Sequence, residues 1–132
     1  VLEPLSGYLM LAAELWKVLR SSDHSNKQAS ELTGAYNFGP DLYSNRSVED
    51  LVQELLKHYD GSWVDQTEVN APHESSLLNL SIDKAFHKLG WKPKWDFEKT
   101  IFETTDWYKK NCSDTSQIQQ FTQEQILRYV NE

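Results

Sequence analysis

Cysteine is almost missing from this sequence: Cys112 stands alone in 132 residues. No internal disulfide can form, which excludes a small secreted scaffold held by disulfides and makes a reducing compartment, the cytoplasm, the expected location. Glycine is sparse too. Gly7, Gly34, Gly39, Gly61 and Gly90 are scattered and assemble neither a Gly-x-Gly-x-x-Gly loop nor a Walker loop, and no nucleophile elbow occurs. Basic residues are outnumbered 13 to 20 by acidic ones, for a formal charge of -7, and no basic run exceeds Lys109-Lys110. The clustered Lys and Arg of a nucleic-acid footprint are therefore absent. The longest aliphatic run, Leu9 to Ala13, has five residues, against about 20 for a membrane-spanning helix. His24, His58, His73 and His87 lie far apart, and none stands at ligand spacing from Cys112, so no metal site is expected. At roughly 100 to 200 residues per domain the chain is one domain or part of one. It opens at Val1 inside a patterned segment without an initiator Met, which suggests a piece of a longer polypeptide.

Aromatic residues are plentiful, with five Trp, six Tyr and five Phe, and each offers a large area to bury. Leu5, Tyr8, Leu9, Ala12, Leu15, Trp16 and Leu19 recur at helical spacing and predict a first helix with that stripe toward the core; Pro4 suits its first turn. The polar stretch Ser21 to Ser30 reads as a surface loop. Ala35-Tyr36-Asn37-Phe38, Ser62 to Val64 and Leu77 to Leu80 read as short strands, the first stopping at Gly39-Pro40-Asp41. Ser47 with Asp50 predicts a capped second helix carrying Val48, Leu51, Val52, Leu55, Leu56 and Tyr59, ending at Gly61. Ser81 is the expected cap of a third helix closed by Gly90. Asp96 is the expected cap of a fourth, through Phe97, Ile101, Thr104, Trp107 and Tyr108. Thr122 with Gln125 predicts a capping box for a last helix carrying Ile126, Leu127, Tyr129 and Val130. The fold class expected is mixed α/β, helix-rich, with a few short strands.

Chemistry-bearing positions are few. Glu3, Asp41, His73 and Glu74 offer acids and a base without a spacing that pairs them. Trp91 and Trp95 flank Pro93 in an extended linker and read as anchors against the core rather than as a stacking surface. Asn45-Arg46 precede a helix N-terminus, where backbone N–H groups favour anions, and Pro72-His73-Glu74 form a polar loop. Charged surface loops would look the same, with anion binding the sharper alternative.

Read in order, Val1-Leu2-Glu3-Pro4-Leu5-Ser6-Gly7-Tyr8-Leu9, Ala35-Tyr36-Asn37-Phe38-Gly39-Pro40-Asp41, Pro72-His73-Glu74, Asp83-Lys84-Ala85, Leu89-Gly90-Trp91-Lys92-Pro93, Asp106-Trp107-Tyr108 and Phe121-Thr122-Gln123-Glu124-Gln125-Ile126 resemble the C-terminal part of the CDP-glucose 4,6-dehydratase family. That family is a nucleotide-sugar branch of the extended short-chain dehydrogenases. The Asn-Phe-Gly-Pro turn, the Leu-Gly-Trp-x-Pro linker and the Trp-Tyr helix belong to the wider superfamily; the opening segment, Pro-His-Glu and Phe-Thr-x-Glu-Gln-Ile are more particular to the CDP-glucose branch.

The resemblance implies a parent enzyme that uses bound NAD to oxidise C4 of CDP-glucose, eliminates water across C5 and C6, and returns the hydride to C6. It implies that residues 1–132 are the substrate-binding portion, with a C-terminal extension and last helix at about 112–132. It also implies that the Rossmann half, with its glycine loop and Tyr-x-x-x-Lys pair, lies outside them. No catalytic, NAD-binding or metal residue is then expected here, and the piece is expected to be inactive alone. The implied substrate contacts are His73 to phosphate, Glu74 to a ribose hydroxyl, and Arg46 with Asn45 to the diphosphate; Ala71 stands where many relatives place an Arg. A homodimer or homotetramer is implied for the full-length protein. The alternatives are the same portion of another nucleotide-sugar dehydratase or 4-epimerase, and, from a different class, a non-catalytic helical interaction domain.

Overall fold

A computed structural model of the chain describes residues 1–20, 30–66 and 79–132. They fall into two compact units, one formed by Val1–Asp41 and Asn79–Lys94, the other by Leu42–Leu78 and Trp95–Glu132.

The first unit is organised around Phe38. Helix α1 (Leu2–Arg20) reaches it through Gly7, which is buried, and a Cβ built at Gly7 would overlap the Phe38 ring. The ring lies edge-on to Tyr8 at 5.3 Å and to Trp91 at 5.0 Å, and parallel to Tyr36 at 6.1 Å. Trp91, only 2% exposed, donates its indole N–H to Ser6 Oγ at 2.9 Å, and Ser6 Oγ in turn donates to Glu3 O at 2.7 Å. The Glu3 carboxylate accepts from the Lys94 backbone N–H at 3.0 Å, so α1 is tied to the segment 91–94 by both ring packing and hydrogen bonds. Helix α3 (Asp83–Leu89) ends on Gly90 at φ 69°, a left-handed cap that a residue with a Cβ adopts only at a cost. Its Lys84 Nζ donates to Thr33 O at 3.0 Å and Ala35 O at 3.2 Å and sits 4.2 Å above the Tyr36 ring. That ammonium holds residues 33–36 in place where a sheet ladder would otherwise do so.

The second unit is helical. Helix α2 (Val48–Leu56) follows a 3-10 turn at Leu42–Ser44, and α4 (Phe97–Ser113) is joined to α5 (Ile118–Asn131) by a 3-10 turn at Thr115–Gln117. Lys109 Nζ donates to the His58 carbonyl at 2.7 Å beyond the end of α2, and the His58 and Phe102 rings meet edge-on at 5.3 Å. The α4–α5 seam has a polar centre: Glu103 and Gln125 are buried along it, with Tyr129 edge-on to Trp95 at 5.0 Å.

Several sequence expectations require correction. The mixed α/β class is overturned, because no strand occurs among the described residues. Among the described residues Ala35–Phe38 pairs with no neighbouring strand; Asn37 donates its side-chain amide to Ser81 O at 3.2 Å, and Phe38 packs through its ring. Residues 62–64 are irregular, as are 79–80, while Leu77 and Leu78 lie outside the described residues. The cap expected from Ser81 is not made: Ile82 occupies the N-cap without a side-chain bond, and Ser81 Oγ donates to the Asp83 carboxylate at 3.0 Å. The Thr122–Gln125 capping box fails because α5 begins at Ile118, which places both residues inside the helix. Thr122 Oγ1 donates back to Ile118 O at 2.7 Å while accepting from Trp107 Nε1 at 2.8 Å.

The largest correction concerns α1. Most of its expected core stripe is exposed, with Leu5 45%, Leu9 71%, Trp16 61% and Leu19 73% exposed, while Leu15 is half-buried and Tyr8, 57% exposed, touches the Phe38 ring by an edge. The Asp96 and Ser47–Asp50 caps and the Gly90 stop form as expected, and Trp91 and Trp95 do anchor their linker.

Candidate functional site

The anion-binding corner expected at Asn45-Arg46 lies in the second unit. The 3-10 turn Leu42–Ser44 closes with Asn45 N–H donating to Leu42 O at 3.4 Å, which leaves Asn45 half-buried and Arg46 exposed. Arg46 Nη1 donates to Asn45 O at 3.3 Å and to Tyr43 O, and the guanidinium carbon stands 5.5 Å from the Phe97 ring centre. The cation is thus braced on its own turn and presented beside the start of α2.

The helix end it precedes is already satisfied from within. Ser47 Oγ accepts from Asp50 N–H at 3.1 Å, and the Asp50 carboxylate accepts from Ser47 N–H at 3.0 Å and Ser47 Oγ at 2.8 Å. The hydrogen bond from the Ser47 side chain, then that from its backbone, hold the Asp50 carboxyl below its ordinary value, with Arg46 adding to the effect. With Glu49 also in the first turn, the positive end of the helix dipole is met by the chain's own carboxylates. Any anion at this corner would rest on the Arg46 guanidinium rather than on the helix terminus.

His73 and Glu74 fall outside the described residues, so the structure brings Asn45 and Arg46 together and leaves the other two substrate candidates unplaced. Among the described residues no group of three or more His, Cys, Asp or Glu side chains is arranged to hold a metal. No described helix is long and apolar enough to cross a membrane.

The most developed polar cluster was not singled out from the sequence. Glu103, 4% exposed, accepts at one carboxylate oxygen from Gln125 Nε2 and Arg128 Nη2, each at 3.0 Å, and pairs through the other with Lys99 Nζ at 3.1 Å. Gln125 Nε2 also donates to Glu103 O at 2.8 Å. Lys99 is shared with Glu132 at 3.4 Å, and Glu132 accepts from the Trp95 indole N–H. Burial pushes the Glu103 carboxyl up, but the hydrogen bonds from Arg128, Lys99 and Gln125 outweigh it and hold the group below its ordinary value. The hydrogen bond to Glu103 likewise raises Lys99. Only the Lys99–Glu103 spacing of four was legible in advance; Gln125 and Arg128 arrive from another helix. The cluster clamps α5 to α4 and offers no open ligand position.

Over 111 residues, 83% of this chain, the sequence is 33% identical to a CDP-glucose 4,6-dehydratase of Salmonella typhimurium (strain LT2). Over 84 residues, 58% of this chain, it is 34% identical to a dTDP-D-glucose 4,6-dehydratase of Mus musculus. The matches span 28% and 22% of the length of those relatives. No family model and no solved structure matches the chain. The resemblance read from the motifs is thus met by an independent likeness, and the chain is related to the nucleotide-sugar 4,6-dehydratases, corresponding to a C-terminal portion of such an enzyme.

Proposed function

We propose that this chain is the substrate-binding portion of a CDP-glucose 4,6-dehydratase, contributing nucleotide-sugar contacts and inactive by itself. The observation that carries the reading is the likeness to the Salmonella typhimurium enzyme over 83% of the chain. On this reading the NAD-dependent oxidation and return of hydride belong to the part of the enzyme outside these residues. The cytoplasm is the compartment, and a homodimer or homotetramer the assembly, of the whole protein. Arg46 supplies charge to the diphosphate with Asn45 beside it, His73 donates to phosphate, and Glu74 accepts from a ribose hydroxyl. A formal charge of -7 opposes an anionic ligand over the whole surface, so a local cation must hold it. Arg46, exposed and braced by two carbonyls, is suited to that task, since a guanidinium matches phosphate geometry.

Calorimetric titration with CDP tests this. Arg46→Ala is expected to weaken CDP about 10- to 100-fold, the range for a lost charge-assisted hydrogen bond of about 1.5–3 kcal/mol, and His73→Ala to weaken it less. Unchanged affinity in both variants would remove these residues from the site. A second reading, a dTDP-sugar enzyme, is favoured by the likeness to the Mus musculus protein; a preference for dTDP over CDP would select it. In the whole enzyme, loss of the sugar 6-hydroxyl separates dehydration from 4-epimerisation. A folded chain that binds neither nucleotide would favour the helical interaction domain.

A further inference from the structure

We propose that α5 is a strap that docks on α4 and releases as one unit, with the Glu103 carboxylate as its latch: protonation of that group undocks the helix while α4 and the first unit stay folded. A packed helix is ordinarily held by the apolar face it buries. On α5 that face is poor. Tyr129 is buried, Ile118 and Phe121 are half-buried, and Ile126, Leu127 and Val130 are exposed. Polar side chains make up the difference, with Thr122, Gln125, Arg128 and Glu132 each reaching a partner on α4 or at Trp95 just ahead of it.

Most of these links converge on one charge. Gln125 and Arg128 donate to one oxygen of Glu103 and Lys99 pairs with the other. Lys99 carries the link on to Glu132, Glu132 accepts from the Trp95 indole, and Trp95 returns to α5 through the Tyr129 ring. About two turns of α5, from Gln125 to Glu132, therefore hang on a closed circuit through Glu103. Thr122, which accepts from Trp107, is an anchor outside it. The charged groups that face Glu103 are Lys99 on its own helix and Arg128 on α5, with Glu132 behind Lys99. On the α2 side Glu54 stands beside Lys57 and His58, and Lys109 is spent on the His58 carbonyl. Asp114, at the 3-10 turn, holds Ser116.

Only the ionised carboxylate closes this circuit. Protonation converts an acceptor oxygen into a donor O–H and removes the charge that balances Lys99 and Arg128, which then face each other across the seam. Hydrogen bonds from Arg128, Lys99 and Gln125 hold the carboxyl below its ordinary value against the upward push of burial, so the latch is shut at neutral pH and opens below the usual carboxylate range. The opening is local because the other elements do not share the group. Helix α4 keeps its own cap at Asp96 and its contacts at His58, and the first unit is held by Phe38, Trp91 and Lys84. An element with little apolar burial and one common support is the kind that opens as a unit before the rest.

Hydrogen exchange of the 132-residue chain, read peptide by peptide and corrected for the intrinsic pH dependence of amide exchange, tests the latch. Between pH 7 and about pH 3.5, below the ordinary carboxylate value, protection over Ile118–Asn131 is expected to fall roughly tenfold or more, while Phe97–Ser113 and Leu2–Arg20 keep theirs. Glu103→Gln, neutral at every pH, should show the lowered protection of Ile118–Asn131 already at pH 7 and little further change on acidification. Arg128→Gln, which leaves Lys99 on Glu103, should fall between the two. Simultaneous loss over Phe97–Ser113 and Ile118–Asn131 in the native chain overturns the proposal, since the two helices then open together. So does a Glu103→Gln chain that keeps native protection at pH 7 or the native response to acid. A Glu103→Gln chain unprotected throughout overturns it as well, because Glu103 is then a support of the whole fold and not a latch for α5.

Discussion

A carboxylate with 4% of its surface exposed is tolerable only because Glu103 is surrounded by donors. Removing it would leave Gln125 with only the Glu103 backbone carbonyl as acceptor and leave Lys99 and Arg128 facing each other without their shared counterion. The two cations are 36% and 42% exposed, so water takes over part of their loss. Glu103→Ala should cost about 1–3 kcal/mol, less than a fully buried pair would, read as a lower midpoint in urea. The same group makes stability pH-dependent. Its carboxyl is held below its ordinary value in the folded chain, whereas the unfolded chain titrates near 4.3. Its contribution is then complete above the unfolded value and is lost as pH falls through the folded one. Melting temperature should drop most steeply below about pH 4, and Glu103→Gln should flatten that drop. Parallel curves for the two proteins would show that other carboxylates govern acid unfolding.

At the scale of the element, Gly7 decides how α1 sits. Alanine favours a helix over glycine by about 1 kcal/mol, yet Gly7→Ala should destabilise by about 1–3 kcal/mol, because the new methyl meets the Phe38 ring, itself wedged between Tyr8 and Trp91. Asp96→Ala should lose about 1 kcal/mol through its bond to Lys99 N–H at 2.8 Å. Either is checked by chemical denaturation; a stabilised Gly7→Ala would mean that Phe38 moves freely. The elements show what a sequence can reveal. Ser47, Asp50, Gly90 and Asp96 were legible because a cap is completed within four residues. Thr122 and Gln125 carried the same local signal and were diverted, one to Trp107 and the other to Glu103, by partners 15 and 22 residues away. Ala35–Phe38 alternates as a strand does, but alternation cannot supply a neighbouring strand. Periodicity located the apolar face of α1 and was silent on which surface covers it. At the candidate site, Arg46 was legible as a cation before a helix, but not that Asp50 already occupies the helix end, and His73 and Glu74 lie outside the described residues.

At the scale of the molecule, apolar burial among the described residues is thin for the number of large apolar side chains. Among the described residues only Ala85, Trp91 and Tyr129 are buried apolar side chains, two in the first unit and one in the second, while Leu9, Trp16, Leu19, Leu127 and Val130 are 60–73% exposed. Stability scales with apolar area removed from water, at roughly 25 cal/mol per Å², so the chain alone should be marginal. It should melt over a broad range, with a urea slope at the low end for its size. Because Leu9 is 71% exposed and adds little apolar burial, Leu9→Glu should leave the melting curve in place. A Leu9→Glu variant that melts well below the native chain would show instead that the chain already buries this face.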